Sequence, residues 1–267
     1  MPLEALAALI AAGIVAGFVA GLFGVGGGVV MVPVLRFLAD ALGWPPDQAM
    51  HFAVATSTAA VLPTAISSAR AHYRHGNVDM DIVRRWAPPM ALAAIAAATV
   101  APYISTVGLT LVFAVFAAIV GLRMAASADW RWRETLPGAG VQRLLAALVG
   151  WLSSWMGIGA GTLGVPTLVA VGAPIHRAVG TAALLGVFVS APALIGWLAS
   201  ARHAPAVAGP AVGYIQLLPL AAMLLPMVLL APLGARIAKS LPPSNLRRIF
   251  GLFLICVSVA LLDRAMR

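Results

Sequence analysis

The sequence predicts an all-α, polytopic membrane protein of about ten helical segments. Three observations carry that prediction. Of 267 residues, 62% are hydrophobic and only 9% are charged, whereas soluble domains run near half apolar and a quarter charged. Apolar runs recur from end to end, and a helix needs about 20 such residues to cross about 30 Å of hydrocarbon. Runs such as 109–122 and 249–262 are continuous rather than alternating. That selects helices over a closed barrel, the two structures that satisfy their own backbone in lipid.

In order, the expected segments are 3–23, 28–39, 48–70, 83–102, 106–126, 143–156, 161–173, 178–200, 214–235 and 245–263. The chain opens Met1-Pro2-Leu3-Glu4, without the basic start of a secretory signal, and reads as part of the first span. The least apolar internal stretch, 127–140, holds Asp129, Arg131, Arg133, Glu134, Pro137 and two glycines. It separates a first repeat, 1–128, from a second, 143–267, with a cytoplasmic linker over 129–142.

The two halves match. GFVAGLFGVGGGVVMVP, from Gly17 to Pro33, aligns with GWLSSWMGIGAGTLGVP, from Gly150 to Pro166. The register pairs Gly24 with Gly157, Gly26 with Gly159, Gly28 with Gly161 and Pro33 with Pro166. His51 and Thr56 then match His176 and Thr181, and Pro89 and Pro102 are spaced like Pro219 and Pro232. Internal symmetry of this kind recurs in secondary transporters.

Charge sets the expected orientation, because cytoplasmic loops collect Lys and Arg. Arg70, Arg74, Arg84 and Arg85 mark one loop as inside, and the uncharged stretch from Pro102 to Gly108 as outside. Arg123, Arg131, Arg133 and Arg143 put the central loop inside. In the second half the bias is swapped. Arg202 and His203 stand where the first half is basic, and Arg236, Lys239, Arg247 and Arg248 stand where it is neutral. Two inverted modules follow, each with an odd number of crossings, and both chain ends fall on the periplasmic side of a bacterial inner membrane. Arg264 and Arg267 weigh mildly against that placement.

Pieces beside the glycine motifs are too short to cross. The runs 144–156, 162–173 and 29–39 hold 13, 12 and 11 residues, which reach only about 16–20 Å. A helix broken or re-entrant near mid-membrane is expected at each motif. A helix that starts just after a glycine cluster points unpaired N–H groups and its positive dipole end into the gap. That is an anion site, and irregular backbone survives in a membrane only where it is buried or lines a cavity. Gly26, Gly27 and Gly28 would face Gly159 and Gly161 across the symmetry axis. The other reading of such glycines is close helix packing, which suits Gly13, Gly17 and Gly21. A dinucleotide-type glycine loop over Gly21 to Gly28 would need a strand and an α/β context that the pattern lacks.

Thr56, Ser57 and Thr181 follow the breaks. Their hydroxyls would either cap a helix or donate to an oxyanion. His51 and His176 read either as solvated loop histidines or as protonatable gates. Arg84 and Arg177, with Arg36, would draw anions to an entrance, or serve orientation and phospholipid contact. All eight acidic residues lie at or near segment ends. No acidic proton relay or metal cage is therefore expected, and no cofactor is implied. The single cysteine, Cys256, is a filler in the last span. The net charge of +9 comes from short inter-span clusters, which argues against nucleic acid.

At these residues the chain resembles the TauE/SafE sulfite-exporter family. The resemblance rests on Gly24-Val-Gly26-Gly27-Gly28 with Val32-Pro33-Val-Leu35, and on Gly157-Ile-Gly159-Ala-Gly161 with Val165-Pro166. Ala53-Val-Ala-Thr56-Ser57, Ala178-Val-Gly180-Thr181 and His72-Tyr-Arg-His-Gly76-Asn77-Val78-Asp79 extend it over essentially the whole chain. It implies an inner-membrane transporter of two related halves that handles sulfite, thiosulfate, sulfoacetate or related organosulfonates. The chain departs at Ala160, where the family often has a third glycine, and at Ala182, where serine is usual. The competing readings are a channel or transporter for another small ion, disfavoured by the absence of acidic rings, and a membrane-embedded lipid-phosphate enzyme, for which no catalytic triad is apparent. Oligomeric state is not legible.

Overall fold

A computed structural model describes residues 3–23, 26–126, 137–207, 209–238 and 243–266. The described residues form ten α-helices and one two-stranded hairpin. In chain order they are α1 (Leu3–Phe23), α2 (Gly28–Phe37), α3 (Ala49–Arg74), α4 (Met80–Val100), α5 (Thr106–Ala125), α6 (Ala139–Trp155), α7 (Gly161–Ala170) and α8 (Ile175–Ala199). The hairpin β1 (Ala211–Val212) and β2 (Ile215–Gln216) then leads to α9 (Leu217–Ala238) and α10 (Pro243–Met266). Among the described residues, α1, α3, α5 and α8 contain runs long and apolar enough to cross a membrane.

The packing is mostly between halves. α1 lies along α9 and α6 along α4, α5 pairs with α10, and α3 meets α8 at the centre. Glycine permits these approaches. A Cβ at Gly13 would fall 2.7 Å from the Met223 carbonyl oxygen, and one at Gly17 would fall 2.6 Å from Met227 Cα. Packing thus accounts for two of the three glycines assigned to it. The matched order, 13 to 17 against 223 to 227, makes α1 parallel to α9. Likewise Gly150 abuts Met90 while Ser154 donates to the Ala94 carbonyl, so α6 runs parallel to α4. α3 and α8 are largely buried, whereas α1, α5, α9 and α10 turn Ile14, Val115, Ile119, Leu225, Leu229 and Val259 outward. Such an apolar perimeter suits lipid and not water.

α2 and α7 have ten residues each, about 15 Å, half a hydrocarbon core. After α1 the chain doubles back: a Cβ on Gly27 would lie 3.2 Å from the Ala16 carbonyl and 3.4 Å from Ala20 Cβ. α1 and α2 therefore form a hairpin inside the bundle.

Three expectations on the elements need correction. α6 begins at Ala139, inside the stretch assigned to the linker, and its 17 residues exceed the 13 expected. The reason is Gln142, a polar residue that is buried: its amide donates to the Pro137 carbonyl and accepts from Trp86 Nε1. Linker residues 129–136 lie outside the described residues, as does Gly24. The loop from Arg70 to Arg85 is mostly helix, since α3 runs to Arg74 and α4 starts after Asp79 caps its Asp81 and Ile82 amides. The segment expected from 214 begins as a hairpin turned at Gly213, with φ 59°.

Candidate functional site

The second break is built by a helix stop. Gly157 takes φ 62°. The Ile158 N–H returns to the Ser153 carbonyl at 3.0 Å and the Gly157 N–H to Ser154 at 3.1 Å. This pairing ends α6 with a left-handed residue that glycine supplies at no steric cost. In the first break Gly26 and Gly27 take φ 75° and 76°, and α2 starts at once, with Val30 and Met31 amides on the Gly27 carbonyl. Neither α2 nor α7 has a side-chain cap. Their first amides have no intrahelical acceptor.

The breaks meet. A Cβ on Gly28 would lie 2.5 Å from the Gly157 carbonyl, and Val61 of α3 stands between Gly26 and Gly159, 3.2 and 3.1 Å from their Cβ positions. Around Val61 is a crevice lined by Gly26, Gly159, Ala160 and Gly161, by Ala65 and Ser68 of α3, and by Ala182, Ala183 and Gly186 of α8. Its volume of about 10 Å³ holds no more than one water. No charged residue is among the described lining, so the local field comes from helix ends.

α3 ties down the carbonyls. Ser57 Oγ donates to the Gly157 carbonyl at 2.7 Å. The Thr64 hydroxyl lies within hydrogen-bond reach of the Gly26 carbonyl at 3.3 Å and of Val61 at 2.8 Å. With the Gly157 carbonyl occupied, the uncapped amides at the helix starts favour a negative guest. Next to the second break, Ser153 Oγ and Thr162 Oγ1 are buried without partners.

The structure therefore brings Gly26, Gly159 and Gly161 to one crevice, with Gly28 beside it against Gly157. Gly27 instead packs on Met227 and α1. Thr56 and Thr181 are fully buried but engaged elsewhere. Thr56 accepts from the Gln216 amide at 3.0 Å and Thr181 from the Asp79 amide at 2.9 Å. His51 is not a solvated loop residue. It is 1% exposed on α3, with Nε2 donating to the Ile104 and Ala101 carbonyls at 2.9 and 3.1 Å. Trp197 and Tyr214 enclose its ring. His176 is exposed at the opposite end of the bundle. There Arg177 lies 3.4 Å from Asp79, and Arg84 lies 3.4 Å from Asp81. None of these four lines the crevice.

Val61, Ala65, Ser68, Thr162 and Gly186 were not expected at the site. The spacing 57, 61, 64, 68 along one face of α3 was the available signal, since residues three and four apart share a helix face.

A family model described as Sulfite exporter TauE/SafE matches residues 9–261. The chain belongs to that family. It is 31% identical over 240 residues to a probable membrane transporter protein of Haemophilus influenzae, covering 90% of this chain and 91% of that one. It is 30% identical over 278 residues to one from Xylella fastidiosa, covering 99% and 98%. A third, from Methanocaldococcus jannaschii, is 26% identical over 269 residues, covering 94% and 95%. No solved structure matches. This TauE/SafE protein is a multi-pass membrane transporter, and its glycine breaks are to be understood in that setting.

Proposed function

We propose that the chain exports a small sulfur-containing oxyanion (sulfite, thiosulfate or an organosulfonate such as sulfoacetate) across the bacterial inner membrane, through the crevice between its two helix breaks. One observation carries the reading. Two uncapped helix starts converge on a crevice whose neighbouring Gly157 carbonyl is occupied by Ser57 and whose described lining has no carboxylate. Amide hydrogens and dipole ends favour an anion there.

The half-to-half packing supports two inverted repeats. Exchanging the halves turns the α1 and α9 pair into the α6 and α4 pair, and returns the α3–α8 and α5–α10 pairs to themselves. Arg70, Arg74, Arg84, Arg85 and Arg177 gather at one end, which the positive-inside rule makes cytoplasmic. With room for about one water, the crevice is closed to a sulfur oxyanion in this conformation, so binding requires the hairpins to part. Outward movement of one negative charge gains about 2.3 kcal/mol per 100 mV of inside-negative potential. That potential by itself would drive export without a coupled ion.

Radiolabelled sulfite and sulfoacetate flux in reconstituted vesicles tests the reading, comparing wild type with Gly159→Leu. That side chain would fill the crevice against Val61. Flux should fall to background while the protein stays monodisperse. Undiminished flux through a filled crevice would remove the site from the pathway.

A further inference from the structure

At the end of the bundle opposite His176, a pocket of about 560 Å³ opens between the end of α2, the start of α3, the start of α5 and the end of α10. Arg36, Gln48, Thr106 and Arg264 line it, with Asp47 also on its wall. Arg264 is committed: it pairs with Asp40 and sits over the Phe37 ring, 5.8 Å from the centroid. Asp47 is exposed to water. Arg36 is different. It is half-buried, its Nε is shut away from water without a partner, and it makes no ion pair among the described residues. In the lining of the same pocket, Gln48 Oε1 is also buried and unpartnered. Turned over, that amide would present a donor, and the two orientations are not distinguished by shape.

We propose that this pocket is an oxyanion docking site, with Arg36 as its principal ligand and Gln48 as a second donor. The guest is a three-oxygen anion such as sulfite or a sulfonate, or the chemically similar phosphate of a lipid headgroup. A guanidinium offers a planar fork of donors that matches such oxygens. A buried N–H without a partner is costly, so a guest that meets it is favoured.

The position along α2 gives the site a role. Arg36 lies eight residues beyond Gly28, about 12 Å along the helix. An anion leaving the amide end of α2 would meet the carbonyl end, where the dipole repels it. Arg36 reverses the sign there. The register that pairs Pro33 with Pro166 puts Val169 at the equivalent place on α7, and α7 has no basic residue in its last turn. The device is therefore confined to one end. Its role as a stage on the exit route rests on the export reading above, but oxyanion binding at Arg36 does not.

The full chain in neutral phosphatidylcholine nanodiscs separates these claims. Equilibrium binding of radiolabelled sulfite is measured for wild type, Arg36→Gln, Arg36→Lys, Asp47→Asn and Gly159→Leu. Arg36→Gln should weaken binding at least tenfold, with Arg36→Lys recovering part of it. Removing the negative charge of Asp47, whose side chain is exposed, should tighten binding. Gly159→Leu should lose flux in vesicles yet keep this binding in nanodiscs. Adding anionic phosphatidylglycerol identifies the source: competition with sulfite that vanishes in Arg36→Gln means a headgroup occupies the same donors. The proposal is overturned if Arg36→Gln binds sulfite like wild type, or if neither sulfite nor the anionic lipid binds wild type in an Arg36-dependent way. Persistent flux in Gly159→Leu would sink only the crevice.

Discussion

Thr181 Oγ1 accepts a hydrogen bond at 2.9 Å from the backbone N–H of Asp79, the residue immediately before α4. Its partner in the other half does the same: Thr56 accepts at 3.0 Å from Gln216, the residue immediately before α9. Each threonine of a central helix thus fastens the start of a helix in the opposite half. Thr181→Val and Thr56→Val should each lower stability by about 1–3 kcal/mol, because a buried amide loses its acceptor. Serine at either place should restore most of it. Chemical unfolding in detergent reads the change. Unaltered stability with weakened sulfite affinity would mean that the hydroxyls serve the guest instead.

Ser57 and Thr64 are expected to act on the guest indirectly. Ser57→Ala frees the Gly157 carbonyl beside the crevice, and Thr64→Val removes the hydroxyl within reach of the Gly26 carbonyl. An unmet carbonyl dipole facing an anion should cost about 1.4 kcal/mol, a tenfold rise in the sulfite concentration for half-maximal flux. The maximal rate should change less. Concentration dependence in vesicles measures both.

Thr162 stands in the first turn of α7 with a buried, unpartnered hydroxyl. The isosteric Thr162→Val should raise stability slightly or leave it alone, since no hydrogen bond is lost and an unmet polar group is removed. Sulfite flux should nevertheless fall severalfold if the hydroxyl donates to the guest once the hairpins part. Thermal melting and flux on the same preparation separate the two effects.

Gly157 is a folding position. A side chain there adopts φ 62° at a cost of about 1–2 kcal/mol, and its Cβ would sit 2.9 Å from the Val54 carbonyl. Gly157→Ala should lower the melting temperature and the monodisperse yield. Gly43, at φ 69° with open space around it, is the control: alanine there carries the backbone cost alone.

Flux should follow voltage. In vesicles holding sulfite, a potassium-diffusion potential negative on the side the anion leaves should accelerate efflux, and the reverse potential should slow it. Equal rates under both polarities would mean that no net charge moves.

Much of this was legible in one dimension. The ten elements fall within a few residues of their expected limits, because apolar run length and Gly/Pro punctuation are local properties. The exceptions have tertiary causes. Ala139 is helical because buried Gln142 finds Trp86 and Pro137, and residues 211–216 form a hairpin whose end is fastened by Thr56. His51 reads from its position either as a solvated loop residue or as a protonatable gate, yet aromatic rings from α8 and the hairpin bury it.

The order of residues alone determined a membrane-resident, helical chain interrupted at two similar glycine clusters, since composition and backbone permissiveness need no partners. Only the tertiary structure decided which polar groups are spent on structure and which remain available. Thr56 and Thr181 are spent on backbone amides, Ser57 on a carbonyl, while Thr162 and Arg36 keep unmet donors. A hydrogen bond is settled by what lies within about 3 Å, and for these residues that neighbour comes from a hundred or more positions away or not at all.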